Sequence, residues 1–293
     1  MPKVLHIVEN FDGQAIERWL TDLTQEATNQ CDDVDWSFFC YLQSPGEYSK
    51  KIIDLGGKVI CSPYPISKPL LFVRNLRRIL RDGKYDVLHC HHDILSGLYL
   101  LASIGLPIRV RIVHVHNTSL ALPISNMIKA LFGKIIFSWA CFLMTDRVVG
   151  VSVDAISAFP GYKATDKKFQ VVHCGIDLAP FSDCNSDANK LRKDLDVPPD
   201  AKLLIFVGRM VPYKNPYLLF ELLQKMTESD INVYAIFVGV GPLMQELAES
   251  AKDMNLFGKM KLLGKRNDIP LLMKASDLLV CPSVEDPKEG LGL

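Results

Sequence analysis

The stretch LLVCPSVEDPKEGLGL, residues 278–293, is typical of the junction between a buried strand and a helix in an α/β protein. The apolar run Leu278–Cys281 predicts a buried strand, and Pro282-Ser283 ends it. The pair Glu289-Gly290 then stands where a helix N-terminus would present free backbone N–H groups to an anionic ligand. In open α/β sheets, ligands bind at such junctions. No helix follows within the 293 residues, so we expect the second domain to be incomplete.

The same alternation of short apolar runs and amphipathic segments extends back to the N-terminus and predicts parallel βαβ units. We expect strands at Val4–Val8, Trp36–Tyr41, Lys58–Cys61, Val87–Cys90, Val110–Val115, Arg147–Gly150, Gln170–His173, Leu203–Val207, Val233–Val238, Met260–Leu263 and Leu278–Cys281. Residues 174–200 lose this periodicity and end in two prolines, which is typical of a linker or domain-entry segment. The prediction is therefore two Rossmann-like, doubly wound α/β domains, residues 1–183 and 184–293.

Charge gives little indication of a polyanionic partner for the whole molecule. Lys and Arg together number 33, as do Asp and Glu, so we expect no nucleic-acid binding. Between residues 50 and 134, however, 13 basic side chains face only four acidic ones. A solvated helix face is the favoured interpretation, and a patch for an anionic acceptor or a membrane surface is the alternative.

Cysteine usage and hydropathy bear on the compartment. The eight cysteines include no Cys-x-x-Cys pair, and several lie in apolar runs, so a reducing, cytoplasmic location is expected. Residues 1–8 are too short for a signal peptide and predict a strand. The most apolar window, residues 135–144, is shorter than the roughly 20 residues of a membrane span. It predicts a buried or interfacial helix, so membrane contact would be peripheral, at the inner face.

Two cations follow a predicted strand in the second half. Arg209 comes directly after Gly208 at the strand end, and Lys214 follows five residues later, before a helix. Arginine offers a planar fork and lysine a compact charge, and both suit a departing diphosphate. A surface pair beside a turn is the simpler alternative.

Glycines follow the next two predicted strands. Gly239 and Gly241 would let backbone N–H groups approach a phosphate or a base, although a tight turn explains them equally well. They do not form the dinucleotide fingerprint, because Pro242 follows at once. After the third strand, Asp268 is expected to cap a helix and Arg266 to face the ligand.

These segments, in order, resemble the group 1 (family 4) retaining glycosyltransferases, which have the B-type glycosyltransferase fold of two facing Rossmann-like domains. The matching segments are Gly208-Arg209 with Lys214-Asn215, Gly239 to Leu243, Gly264 to Pro270, and Pro282-Ser283 with Glu289 to Leu293. Upstream, Val172 to Leu178 resembles the family's domain junction, with His173-Cys174 where Pro-Asn is usual. The resemblance covers essentially the whole chain.

The resemblance implies a role for each matching residue. Arg209 and Lys214 would hold the donor diphosphate, and Glu289 would be the first of two glutamates that bind the donor sugar and ribose; the second would fall beyond Leu293. Gly13 matches one glycine of the usual Gly-Gly turn after the first strand. His116, within His114-Val115-His116-Asn117, would approach the donor sugar and acceptor.

Residues 89–93, His-Cys-His-His-Asp, also raise the question of a metal. No His-x-x-Glu-His or Cys-x-x-Cys partner accompanies them, so we favour a strand-end cluster and predict no metal and no cofactor. The sequence also lacks the Gly-x-Ser-x-Gly motif of serine hydrolases.

The resulting hypothesis is a metal-independent enzyme that moves a sugar from a nucleotide-diphosphate sugar to a glycan or lipid-linked glycan, in polysaccharide or glycoconjugate synthesis. One alternative is another enzyme of the same fold, such as a nucleotide-sugar epimerase or a glycan phosphorylase. The other is a nucleotide-sugar binder without activity. The donor base, the sugar, the acceptor and the oligomeric state are not specified by the sequence.

Overall fold

The computed structural model describes residues 1–12, 15–30, 33–118, 127–182, 188–254, 256 and 258–284. The described chain forms two compact units, which divide between Ile176 and Asp177. Each unit contains one parallel sheet, of seven strands in the first and four in the second, so the predicted α/β fold class is confirmed. The predicted boundary at residue 183 lies slightly beyond this division, outside the described residues.

The first unit alternates strands and helices along the chain. Its strands are β1 Lys3–Val8, β2 Asp35–Cys40, β3 Lys58–Cys61, β4 Val87–Cys90, β5 Val110–Val115, β6 Arg147–Gly150 and β7 Phe169–Val171. Its helices are α1 Ala15–Asn29, α2 Ser49–Asp54, α3 Pro69–Gly83, α4 Ser96–Ala102, α5 Met127–Met144 and α6 Val153–Ser157, with a 3₁₀ turn at Asp93–Leu95. The strand order β3-β2-β1-β4-β5-β6-β7 is that of a doubly wound sheet.

Side-chain alternation along β1 assigns its two faces to different surroundings. Leu5 and Ile7 point into an apolar cluster with Phe72 and Leu76 of α3. His6 points to the opposite face, where it stacks on Phe38 of β2. An apolar layer thus supports one face of the sheet, while the other carries aromatic and imidazole rings.

The second unit repeats the design on a smaller scale. Its elements are α7 Ala179–Ser182, α8 Ala188–Asp194, β8 Lys202–Val207, α9 Pro216–Glu228, β9 Val233–Val238, α10 Met244–Asp253, β10 Met260–Gly264, α11 Ile269–Ala275 and β11 Leu278–Leu279, with a 3₁₀ turn at Pro212–Lys214. The strands are parallel, in the order β10-β9-β8-β11. Both faces of β8 are buried, because Leu204 and Phe206 join one apolar cluster and Leu203 and Ile205 another.

Two sequence predictions need correction. The segment 174–200 is not only a linker, since it forms α7 and α8, and Leu195 and Val197 pack into the core of the second unit. The last strand is not buried: β11 comprises two residues at the sheet edge, and Leu278 and Leu279 are 57% and 43% exposed. An apolar run cannot by itself distinguish an edge strand from a central one.

Candidate functional site

The strand order places one candidate site in each unit. Ligands bind open α/β sheets at the carboxyl ends of the strands, where the direction of winding reverses. In the first unit this reversal lies between β1 and β4, and in the second between β8 and β11. The candidate site residues are therefore those that follow these four strands.

In the second unit, the loop after β8 gathers two cations around one aromatic ring. The guanidinium of Arg209 lies 5.6 Å from the centroid of the Tyr213 ring and donates a hydrogen bond to its hydroxyl. The ammonium of Lys214 lies 6.0 Å from the same centroid. Arg209 is exposed and Lys214 is half-buried. The two predicted diphosphate-binding residues thus lie on the same loop, and both are close to the Tyr213 ring.

The segment that follows β11 reaches the same loop. Val284 donates its backbone N–H to the carbonyl oxygen of Tyr213 at 2.9 Å. The chain after the edge strand is thereby held beside Arg209 and Lys214. Glu289, the predicted sugar-binding carboxylate, lies outside the described residues.

Gly239 and Gly241 pack the loop after β9 against the loop after β8. Gly239 has a φ of +128°, and a Cβ added there would overlap the carbonyl oxygen of Gly208. A Cβ added at Gly241 would overlap the backbone of Met210. The N–H of Gly239 is already engaged, since it donates to the Gly264 carbonyl at 2.8 Å. In this structure the two glycines therefore permit close contact between loops.

Arg266 pairs with Asp268, two residues later. Its Nε lies 2.8 Å from Oδ1 and its Nη2 2.5 Å from Oδ2. This pairing lowers the pKa of Asp268 and raises that of Arg266. Asp268 is the N-cap residue of α11, as expected, but its side chain makes no capping hydrogen bond. Its carboxylate instead fixes the guanidinium at the end of β10.

In the first unit, five histidines form a cluster on one face of the sheet, the one that carries His6. His6 on β1 pairs in register with His89 on β4, while His91, His114 and His116 continue the cluster along β4 and β5. His89 and His91 have centroids 4.2 Å apart, and His114 and His116 4.3 Å apart. Trp19 of α1 packs edge-on against His91, His114 and His116. The predicted alternation of His114 and His116 on one strand face is confirmed.

A chain of hydrogen bonds runs through three of these rings. His6 Nδ1 lies 3.0 Å from His91 Nε2, and His91 Nδ1 lies 3.2 Å from His116 Nε2. His6 Nε2 is buried and has no partner within the described part of the chain. Because buried N–H groups are rarely left unpaired, we assign the proton of His6 to Nδ1. His91 then donates to His116, whose proton lies on Nδ1.

The end of β5 is held by Asp93. Its Oδ1 accepts the backbone N–H of His116 at 2.8 Å, and its Oδ2 accepts the side-chain amide of Asn117 at 2.8 Å. Asp93 has a φ of +43°, an uncommon backbone conformation outside glycine that is found at functional sites. Burial raises the pKa of Asp93 to about 6. Asp93 thus joins the two strands on which the cluster is built.

Burial keeps these imidazoles neutral. It lowers the pKa of His6 to about 3 and that of His114 to about 4. It also lowers the pKa values of His89, His91 and His116 well below 6.5, with a further contribution from neighbouring imidazoles. His116, only 9% exposed, is therefore a neutral hydrogen-bonding group at neutral pH.

Two histidine groups bring three nitrogens within 4.8 Å of one another: His6 with His89 and His91, and His91 with His114 and His116. Neutral imidazoles are good metal ligands. Two neighbouring rings in each group are stacked, however, so their in-plane lone pairs point side by side rather than towards a common ion. The hydrogen-bonded chain accounts better for this geometry, and we assign no metal to the cluster.

The first turn of α1 contributes a buried carboxyl group. Burial, together with the nearby carboxylates of Glu9 and Asp12, raises the pKa of Glu17 to about 7. Gly13, whose match to the glycine turn of the family predicts a place beside the donor nucleotide, lies outside the described residues.

Three residues of these sites had no assigned role from sequence. Tyr213 directly precedes Lys214, Asp93 follows the histidines of residues 89–92, and His6 lies within the first predicted strand. Only register identifies His6, because it joins the cluster through its pairing with His89.

Known proteins support this architecture. A family model described as Glycosyltransferase Family 4 matches residues 16–180, and one described as Glycosyl transferases group 1 matches residues 187–293. The putative glycosyltransferase EpsF of Bacillus subtilis is 26% identical over 96% of this chain and 73% of its own length. The UDP-Gal:alpha-D-GlcNAc-diphosphoundecaprenol alpha-1,3-galactosyltransferase of Escherichia coli is 29% identical over 77% of this chain and 59% of its own length.

Solved structures show the same fold. Anabaena Alr3699/HepE, crystallised in complex with UDP and glucose, superposes with a TM-score of 0.76 at 21% identity, over 97% of this chain and 74% of its own. WaaG, a glycosyltransferase involved in lipopolysaccharide biosynthesis, gives a TM-score of 0.69 at 16% identity, over 96% of this chain and 75% of its own.

Proposed function

The chain belongs to glycosyltransferase family 4, among the group 1 glycosyltransferases, and we propose that it moves a sugar from a nucleotide-diphosphate sugar to a hydroxyl of a glycan or lipid-linked glycan. The configuration of the anomeric carbon is retained. The reaction serves the synthesis of a polysaccharide or glycoconjugate.

The observation that carries this proposal is the pair of cations on the loop after β8. Arg209 and Lys214 both lie against Tyr213, beside the point where the winding of the second sheet reverses. Negative charge develops on the diphosphate as its bond to the sugar breaks, and fixed cations stabilise that charge. The contact with Tyr213 limits the orientations of both side chains before the donor binds.

The chemical step needs few protein groups. The bond between the anomeric carbon and the diphosphate oxygen breaks, and the acceptor oxygen bonds to the same face of the sugar. The proton of the acceptor hydroxyl passes to the leaving diphosphate, so the reaction needs no general base from the protein. His116 and Glu289 orient the donor sugar, while Gly239, Gly241 and Arg266 shape the nucleotide side.

The acceptor is proposed from the names of relatives. The E. coli relative acts, by its name, on a sugar linked to diphosphoundecaprenol, and another relative is a capsular polysaccharide biosynthesis glycosyltransferase, CapH of Staphylococcus aureus. A lipid-linked acceptor would place the enzyme in the cytoplasm, in peripheral contact with the inner face of the membrane through its N-terminal unit.

Calorimetric titration with UDP and GDP, in EDTA and in magnesium, tests the donor site. UDP comes first because it is bound in the HepE crystal. We expect binding in EDTA, and about tenfold weaker binding for each of Arg209→Ala and Lys214→Ala, since each removes a charge-assisted contact to phosphate.

The matched control is Lys225→Ala, an exposed lysine in the last turn of α9, away from the carboxyl ends of the strands. It should bind UDP like the wild type. Unchanged affinity in the Arg209 and Lys214 variants would place the donor site elsewhere, and binding that needs magnesium would overturn metal independence.

A further inference from the structure

Helix α5 exposes an apolar face. Six large side chains, each between 49% and 68% exposed, form what we call the α5 face: Leu131, Phe132, Ile135, Ile136, Trp139 and Leu143. They recur every three or four residues and so lie along one side of the helix. Ala140 and Cys141, on the other side, are buried. The helix therefore has two apolar sides, one that packs against the unit and one that is exposed.

The α5 face extends into a shallow groove towards α4. This groove, about 340 Å³ in volume, is lined by Leu101 together with Ile135, Ile136, Trp139, Leu143 and Met144. Ile104, just beyond α4, is also exposed. Contiguous apolar surface of this kind marks an interaction site in a protein that is otherwise soluble.

Cations surround this surface. Lys134 is exposed on α5 itself. At the C-terminal end of the helix, the ammonium of Lys168 lies 5.7 Å from the Phe142 ring and donates to the Phe142 carbonyl at 2.8 Å. At the α4 end, the exposed Arg77 donates to the carbonyl oxygens of Ala102 and Ile104.

Two exposed acidic groups lie near Lys168, and each accepts a backbone N–H. Asp146, which follows α5, accepts the N–H of Arg111 at 2.8 Å, and Asp166 accepts the N–H of Lys168 at 2.8 Å. Across the described residues, no helix is long and apolar enough to cross a membrane. The chemistry of this surface, apolar with a basic rim, suits a partner that is apolar inside and anionic outside.

We infer that the α5 face docks onto an anionic lipid surface, with α5 lying in the plane of the interface. The apolar side chains enter the acyl boundary, Trp139 lies at headgroup level, and Lys134, Lys168 and Arg77 meet the lipid phosphates. This inference deepens the proposed membrane contact and rests on the lipid-linked acceptor of the proposed function.

A second copy of the chain fits this surface less well. A twofold interface would bring the same patch together from both copies, so the rim cations would face cations. Anionic lipid neutralises that rim instead.

Flotation with lipid vesicles tests the inference. One set contains phosphatidylcholine alone, and the other equal parts of phosphatidylcholine and phosphatidylglycerol. We expect the protein to float with the anionic vesicles and to remain in solution with the neutral ones. Tryptophan emission should shift to the blue with the anionic set, because Trp139 is exposed whereas Trp19 and Trp36 are partly buried. The Trp139→Phe variant should bind without this shift.

Variants on the surface decide which residues make the contact. Ile136→Ser with Trp139→Ser should weaken binding at least about tenfold, and Lys134→Glu several-fold. Their matched controls are Ile53→Ser and Lys50→Glu, exposed residues on α2, which belongs to a different part of the unit. All five substitutions are at exposed positions, so folding should be preserved.

Three results would overturn the inference. These are failure of the wild type to bind anionic vesicles, equal binding by the α5 variants and the controls, and dimerisation in solution that the same variants abolish. The donor titration separates this inference from the proposed function. Vesicle binding without UDP binding would refute only the transferase, and UDP binding without vesicle binding would refute only the docking surface.

Discussion

Asp93 illustrates how one carboxylate can position another strand's histidine. It sits after β4, yet both of its oxygens bond residues that follow β5. The bond to the His116 backbone fixes where that residue leaves the sheet, while His91 fixes the ring. The left-handed backbone of Asp93 persists only if the surrounding bonds outweigh its strain.

Substitutions of Asp93 separate strain from bonding. Glycine relieves the positive φ but removes the side-chain bonds, whereas asparagine tolerates the φ and keeps one acceptor. We expect Asp93→Gly to lower the free energy of unfolding by about 2 kcal/mol, and Asp93→Asn by less. Urea unfolding followed by tryptophan fluorescence measures both, because Trp19 packs against His116. A Gly variant as stable as the wild type would show that the bonds to β5 contribute no more than the strain that glycine relieves.

For single residues, the sequence predicts where charged side chains lie in the fold but not which side chains they contact. Arg209 and Lys214 could be found because they follow a recognisable strand at a fixed spacing. The involvement of Tyr213 could not, because nothing in spacing alone shows that its ring lies close to both cations. The roles of His6 and Asp93 depend on which strands are neighbours in the sheet, and the sequence alone does not specify the strand order.

At the scale of elements, the loops after β8 and β9 behave as one structure. Gly208 donates its N–H to the Val238 carbonyl at 2.9 Å, and Met210 donates to that of Val240 at 3.0 Å. These bonds extend the β8–β9 ladder beyond the strands and hold Arg209 between them. The absence of a side chain at Gly239 is what lets the loops approach so closely.

Gly239→Ala should therefore disturb both stability and donor binding. The new methyl group would overlap the Gly208 carbonyl, and its φ is unfavourable for alanine, so we expect a loss of about 3 kcal/mol. The loss of stability would be measured as faster hydrogen exchange in peptides from β8 and β9, and the disturbed donor site as weaker UDP binding.

Gly258→Ala is the matched control, since a Cβ there meets no atom within 4 Å. It should exchange like the wild type. If Gly239→Ala did so too, the loops would be free to separate without consequence.

Periodicity located every strand of the described chain to within a few residues, because strands buried in a parallel sheet are continuous apolar runs. It missed α8, in which lysine, arginine and aspartate mask a short amphipathic pattern. It also mistook the edge strand β11 for a buried one, because burial depends on what covers a strand.

At the scale of the whole molecule, histidines are distributed unequally. All seven precede residue 177, and six of them, His6, His89, His91, His92, His114 and His116, have pKa values lowered by burial. A lowered folded pKa means that stability is full above about 6.5 and is lost as the pH falls below it. In the first unit, Glu17 and Asp93 have raised pKa values and act in the opposite direction. Six groups outweigh two, so acid destabilises this unit.

The second unit has no histidine and should resist acid longer. Its Asp268 and Asp277 have lowered pKa values, so their contribution to stability is lost only below about pH 4. Each buried histidine of the first unit costs about 1.4 kcal/mol per pH unit once its unfolded form is protonated. Opposed by Glu17 and Asp93, the six together make the stability of the first unit fall steeply below about pH 6.5.

We therefore expect the first unit to unfold at about pH 5 while the second remains folded. Tryptophan fluorescence reports the first unit alone, because residues 19, 36 and 139 are the only tryptophans, and hydrogen exchange in β8 and β9 reports the second. His114→Leu should shift the fluorescence midpoint to lower pH, because the variant removes one neutral imidazole whose ring nitrogens lack partners among the described residues. A single midpoint shared by both units, unmoved by this variant, would mean that the buried imidazoles do not control acid stability.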